Sequence, residues 1–101
     1  PERRFILAVS SHTSHSLVLY GTLGCHLCEL AEQLLLPYVA DGWHVELIDI
    51  AEDDALLERF SLMIPVLEST VTTRHLAWPF DAAALKDFLF LELNLVKKEA
   101  D

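Results

Sequence analysis

The chain has 101 residues, 52% hydrophobic and 9% aromatic, with three Gly and four Pro; this supports one hydrophobic core, is too short for two, and excludes a disordered or fibrous chain. Seven Lys plus Arg against 16 Asp plus Glu give a formal charge of −9, which repels a phosphate backbone or an anionic membrane surface and argues against nucleic-acid and membrane partners. No apolar run reaches the roughly 18 to 20 residues that cross a bilayer, since the richest, residues 34–40, is interrupted by Pro37.

Residues 1–16 read as an extension ahead of the domain. Arg3 and Arg4 precede five apolar residues, 5–9, fewer than the roughly 7 to 15 of a signal-peptide core, so the segment is not read as secretory and a cytoplasmic location is expected. The polar tract 10–16, Ser-Ser-His-Thr-Ser-His-Ser, is of low complexity and is expected either to lack order or to add an edge strand.

The domain is expected to span residues 17–96. Residues 16–20 read as a buried strand stopped by Gly21. From Cys25 the period changes: Leu27, Leu30, Ala31, Leu34 and Leu35 recur at helical spacing, and Pro37 with Asp41-Gly42 closes the segment. Residues 43–50 alternate, with Trp43, Val45 and Leu47 on one side and Ile48 and Ile50 on the other, as a strand running into a loop. Asp53 and Asp54 open a short helix over 55–60, acidic where the helix dipole favours negative charge. Residues 63–67 and 70–76 read as two strands joined by a tight turn near Glu68 and Ser69. Asp81 is the expected N-cap of a last helix over 82–96, followed by a charged tail, 97–101. The order βαβ, short helix, ββ, α predicts an α/β domain: a mixed four-stranded sheet with a parallel crossover pair, an added hairpin and flanking helices.

The chemistry-bearing motif is Gly24-Cys25-His26-Leu27-Cys28, at the passage from first strand to first helix. Unpaired N–H groups and the dipole at a helix start stabilise an anion, so Cys25 should ionise more readily than a free cysteine and act as nucleophile. Cys28, three residues on and on the same face, can attack a mixed disulfide at Cys25 and release the substrate, which makes it the resolving thiol. Two other readings stand beside this one. An inert buried pair is one. Half of a zinc site is the other, but zinc needs two more N or S ligands and the chain has no second cysteine pair; His12 and His15 would have to supply them. The strand-to-helix placement favours redox exchange with no bound metal. His26 could stabilise a thiolate when charged or simply be solvated; His44 and His75 read as surface strand residues.

The segments Leu19-Tyr20-Gly21-Thr22-Leu23-Gly24-Cys25-His26-Leu27-Cys28-Glu29, Met63-Ile64-Pro65-Val66-Leu67 and Trp78-Pro79-Phe80-Asp81 resemble the glutaredoxin-like branch of the thioredoxin superfamily, over residues 16–93. The chain looks most like small bacterial glutaredoxin-like proteins of uncharacterised function. The resemblance implies a thioredoxin-like fold. It also implies a cis-proline at Pro65 facing the dithiol, and an Ile64 that offers its backbone N–H and C=O to an extended thiol substrate. Gly24, Ile64 and Pro65 form the expected substrate-positioning set. Two departures matter. Glutaredoxins that use glutathione usually carry a basic residue just before the first cysteine, whereas Thr22, Leu23 and Gly24 carry no charge, and their Gly-Gly-Asp-like turn is replaced by Trp78-Pro79-Phe80-Asp81. Only Asp81 can match, as a contact for the amino end of glutathione, and capping alone also explains it. Trp78 and Phe80 are expected to pack in the core, with a lip beside the active site as the alternative.

The expected function is thiol–disulfide exchange on protein or small-molecule disulfides, with no tightly bound cofactor and with glutathione as a candidate co-substrate. A binding or adaptor module with a vestigial or regulatory dithiol is the alternative, and the resemblance adds a third, an iron–sulfur carrier using Cys25 and glutathione. A monomer is expected; an outer apolar face on the last helix is the feature that would support a dimer.

Overall fold

A computed structural model describes residues 4–6 and 16–100. The elements are β1 (Arg4–Ile6), β2 (Ser16–Gly21), α1 (His26–Ala40), β3 (His44–Asp49), α2 (Asp54–Phe60), β4 (Val66–Ser69), β5 (His75–Ala77) and α3 (Ala82–Ala100), with a 3-10 turn, Ile50–Glu52, between β3 and α2. The sheet order is β1-β3-β2-β4-β5. β2 and β3 are parallel, joined by α1, and the other pairings are antiparallel. The four strands β2 to β5 form the mixed sheet expected from the sequence. Residues 4–6 add a fifth strand outside β3, with Arg4 opposite Ile48. The rest of the extension, including His12 and His15, lies outside the described residues.

Burial explains why β2 is apolar from Leu17 to Tyr20 without a break. Leu17 and Leu19 join one core cluster with Ala31 and Leu35 of α1 and Leu85, Phe88 and Leu89 of α3. Val18 and Tyr20 join another on the opposite face with Ile48, Ile50 and Phe60. A strand covered by helices on both faces has no solvent side to alternate toward. β3 divides its side chains in the same way, Val45 to the first cluster and Ile48 to the second.

Four boundaries depart from the sequence reading. β4 starts at Val66 and not at residue 63, because the Met63 and Ile64 N–H groups donate to the Phe60 carbonyl at 2.8 and 3.1 Å and close the turn after α2. Pro37 lies inside α1 and does not end it. The helix stops at Asp41-Gly42, where Gly42 takes φ +103°, the Gly42 N–H donates to the Val39 carbonyl and the Trp43 N–H to the Tyr38 carbonyl; this paired closure needs a left-handed residue, which glycine supplies without strain. In the hairpin, Glu68 and Ser69 belong to β4 and the turn falls at 70–74. The Ser69 hydroxyl accepts the Val71 and Thr72 N–H groups at 3.1 and 3.0 Å, so the chain reverses after that side chain, while Glu68 remains paired with His75. Finally, α3 continues through the expected tail to Ala100, in keeping with the good helix propensity of Lys, Glu and Ala.

Candidate functional site

The dithiol sits at the carboxyl end of β2. Gly24 takes φ +75°, a left-handed conformation that favours glycine, and it turns the chain from strand into helix. Cys25 is extended and caps α1: its Sγ accepts the Cys28 N–H at 3.1 Å and its carbonyl accepts the Glu29 N–H at 3.1 Å. The helix thus begins at the first cysteine, as the periodicity predicts. Cys25 and Cys28 are joined as a disulfide, with their Cα atoms 5.2 Å apart. Cys25 is half-buried and Cys28 is 4% exposed. An incoming thiol therefore reaches Cys25 before Cys28, and the N–H that caps the Cys25 sulfur can stabilise a thiolate there once the bond is open.

Gly21 is a part of the site that sequence reasoning missed. A methyl group built on it would lie 2.8 Å from Cys28 Sγ, so the last residue of β2 must lack a side chain for the second sulfur to pack against the strand. The available signal was a glycine directly between a buried strand and the motif.

Register brings the proline loop toward the same place. β4 runs antiparallel to β2 with Val66 opposite Tyr20, and one step further along this register puts Pro65 across from Gly21. The Ile64–Pro65 peptide bond is cis, as is Trp78–Pro79. The Pro65 carbonyl accepts the Trp78 N–H at 3.0 Å, which ties the start of β4 to the Trp78-Pro79-Phe80-Asp81 turn. One expectation needs correction: the Ile64 N–H donates to the Phe60 carbonyl at 3.1 Å. It closes the turn after α2 and is not free for a substrate chain. The Ile64 carbonyl, by contrast, makes no backbone hydrogen bond among the described residues.

Phe80 is buried in the first core cluster and Trp78 packs beside it, the rings meeting edge to face at 4.9 Å. Asp81 caps α3, its Oδ1 accepting the Ala84 N–H at 2.8 Å. His26 is exposed and lies 3.9 Å from Glu29. His75 pairs with Glu68, whose other oxygen accepts the Tyr20 hydroxyl at 2.9 Å. The exposed side chains flanking the dithiol are mixed: Leu23 and Leu27 are 56% and 43% exposed, beside the more exposed His26 and Glu29.

Behind Cys28 lies a cavity of about 60 Å³ whose lining includes Gly21, Cys28, Glu32 and Asp49, with apolar walls from Leu19 and Leu47. Glu32 follows Cys28 by one helical turn, and Asp49 pairs with Gly21 in the β2–β3 register. Burial, and secondarily the neighbouring Glu29 carboxylate, hold the Glu32 carboxyl above its ordinary value of 4.5. Among the described residues no group of three or more His, Cys, Asp or Glu side chains could hold a metal ion, and no described helix is long and apolar enough to cross a membrane.

Residues 16–90 match the family model of the glutaredoxin-like domain (DUF836). Among solved structures, the X-ray structure of target protein XcR50 from X. campestris is 36% identical over 74% of this chain and 96% of its own, with a TM-score of 0.66. The solution structure of protein Ne2328 from Nitrosomonas europaea is 25% identical over 79% of this chain and 98% of its own, with a TM-score of 0.64. No curated protein matches the chain.

Proposed function

The chain belongs to the glutaredoxin-like domain family, and from that premise we propose that it is a thiol–disulfide oxidoreductase acting on protein or small-molecule disulfides. The observation that carries this reading is the asymmetry of the pair: a half-buried Cys25 capped by a backbone N–H, and a buried Cys28 one turn behind it. In the reduced enzyme the Cys25 thiolate attacks one sulfur of the substrate disulfide, and the other leaves as a thiolate. Cys28 then attacks the Cys25 sulfur, the Cys25–Cys28 bond forms, and the substrate leaves with two electrons. Pro65 and the Ile64 carbonyl border the approach to Cys25, and Gly24 holds the turn that presents it. The exposed Leu23 and Leu27 beside the pair suit contact with apolar side chains of a polypeptide substrate. Glutathione serves as reductant, through Asp81 and Trp78 if it binds at the α3 N-terminus, and no tightly bound cofactor is required. A reducing, cytoplasmic setting fits a dithiol that must be returned to its thiol form in each cycle.

The test is the reduction of a model disulfide by the isolated protein, with dithiothreitol and with glutathione in parallel. Turnover with either reductant, and its loss to the uncatalysed rate in Cys25→Ser, is the expected result. Equal turnover in Cys25→Ser would overturn the assignment. Glutathione supporting turnover no better than buffer would remove it as co-substrate.

A further inference from the structure

Each exchange cycle asks Cys28 to gain and lose a proton, yet its side chain is 4% exposed. Bulk water is a poor partner for a sulfur so enclosed, so the proton needs a nearby carrier. Glu32 is one helical turn from Cys28, where residues i and i+4 share a face, and both line the cavity behind the disulfide. That cavity, about 60 Å³, is large enough for a water molecule to bridge the two groups.

We infer that Glu32 is the proton carrier for Cys28, a catalytic residue that acts as base when Cys28 resolves a mixed disulfide and as acid when the disulfide is reduced. The inference rests on the oxidoreductase reading. In the resolving step the Cys28 thiol gives its proton to the Glu32 carboxylate, the resulting thiolate attacks Cys25 Sγ, the Cys25–Cys28 bond forms, and the substrate departs as a thiolate; Glu32 then passes the proton to solvent. When a donor thiolate reopens the bond by attacking Cys25 Sγ, the bonding pair leaves on Cys28, which takes the proton from the Glu32 carboxyl. Atoms and electrons balance in both directions, with the donor thiol as reductant.

Two features separate Glu32 from the other acids nearby. Asp49 faces the same cavity, but its Oδ1 accepts the Ala51 N–H at 2.9 Å as the cap of the 3-10 turn. Glu29 points to solvent beside His26. Glu32 has no hydrogen-bond or ion-pair partner among the described residues. Its carboxyl is also held above the ordinary value by burial and by Glu29, closer to the pH at which it must work in both directions. The charged groups near it among the described residues are Glu29, one turn back on its own helix, and Asp49 on the cavity wall, both acids, and neither would pull its proton affinity down.

The experiment mixes the reduced protein with an aromatic disulfide that releases a coloured thiolate, in a stopped-flow instrument from about pH 5 to 9. A first burst reports attack by Cys25; a second reports resolution by Cys28. In Glu32→Gln the first burst should keep its rate, and the second should slow by roughly 10- to 100-fold near neutral pH. The variant should also lose the carboxyl inflection, its rate rising only with ionisation of the thiol. Glu29→Gln should shift the wild-type inflection to lower pH, a readout that holds even where Glu32→Gln folds poorly. A second burst in a folded Glu32→Gln that superimposes on wild type, or an inflection unmoved by Glu29→Gln, would overturn the inference alone. Absence of the first burst in wild type would overturn the oxidoreductase reading, and the inference with it.

Discussion

The two ends of the central sheet handle polar chemistry in opposite ways. At the end where β4 passes into the hairpin turn, Glu92 of α3 is 2% exposed and fully engaged: it accepts from the Ser69 hydroxyl, from the Thr72 hydroxyl at 2.7 Å and from Arg74 at 3.0 Å. Arg74 in turn reaches the Phe88 carbonyl and lies over the Phe88 ring. At the other end Glu32 lines a cavity without such partners, and the sulfur pair stands among exposed leucines. A satisfied buried network fixes one conformation, and an unsatisfied acid beside a reactive bond keeps its proton available. The fold is therefore anchored at one end, and the proposed site of exchange lies at the other.

Breaking the anchored end should have the largest effect on stability. Glu92→Ala leaves Ser69 and Arg74 without their acceptor, at a cost of about 2–4 kcal/mol, read as a lower denaturation midpoint with an unchanged slope. Glu92→Gln keeps an acceptor and should lose less. Folded Glu92→Ala should still exchange disulfides at the wild-type rate, since the network lies at the far end of β2. A matching loss of exchange rate in fully folded protein would show that the two ends are coupled.

Two glycines sharpen the comparison within the reactive end. Gly21 is required for space and Gly24 for conformation. A methyl group at Gly21 meets Cys28 Sγ, whereas one at Gly24 meets nothing within 4 Å. Gly21→Ala should cost about 1–3 kcal/mol, as overpacking does, and Gly21→Asn should be no better. Gly24→Ala should cost about 1–2 kcal/mol through its positive φ, and Gly24→Asn should recover much of it, because asparagine tolerates that region. Equal recovery by asparagine at both sites, in denaturant titrations, would contradict the assignment at Gly21.

These sites also mark what the sequence could disclose. Cys25, Cys28, Asp53 and Asp81 were legible because a strand-to-helix passage and an N-cap are local patterns, written within a few residues. Asp81 accepts the Ala84 N–H as its position predicts, and Asp53, read only as an acidic residue at a helix start, accepts the Leu56 N–H as the cap of α2. The Ile64 N–H was misread because its acceptor, the Phe60 carbonyl, depends on how α2 ends. The burial of Glu92 was invisible because a lone acid on a long helix reads as solvated, and only the hairpin folded over it supplies its three donors. Asp49 and Gly21 meet through the β2–β3 register, which no local spacing encodes. Two parts of that group were within reach one by one: Gly21 as a glycine between a buried strand and the motif, and Glu32 four residues after Cys28 on the same helical face.

The smallest expected effect tests whether the reactive end carries a cost in stability. The Glu32 carboxyl binds its proton more tightly in the folded chain than in the unfolded one, because burial and Glu29 disfavour its charge. Below the unfolded value of 4.5 both states are protonated and the residue costs nothing. As pH rises through the raised folded value the unfolded chain ionises first, and the folded state loses stability relative to it. Glu32→Gln, which cannot ionise, should therefore be more stable than wild type at neutral pH. The group is partly exposed and screened by solvent, so the gain should be only a few tenths of a kcal/mol. It should vanish below pH 4.5. Thermal unfolding of oxidised wild type and variant at pH 4 and pH 7 is the measurement. A variant less stable than wild type at pH 7 would mean that the Glu32 carboxylate makes a stabilising contact, which would bind it too firmly to shuttle a proton.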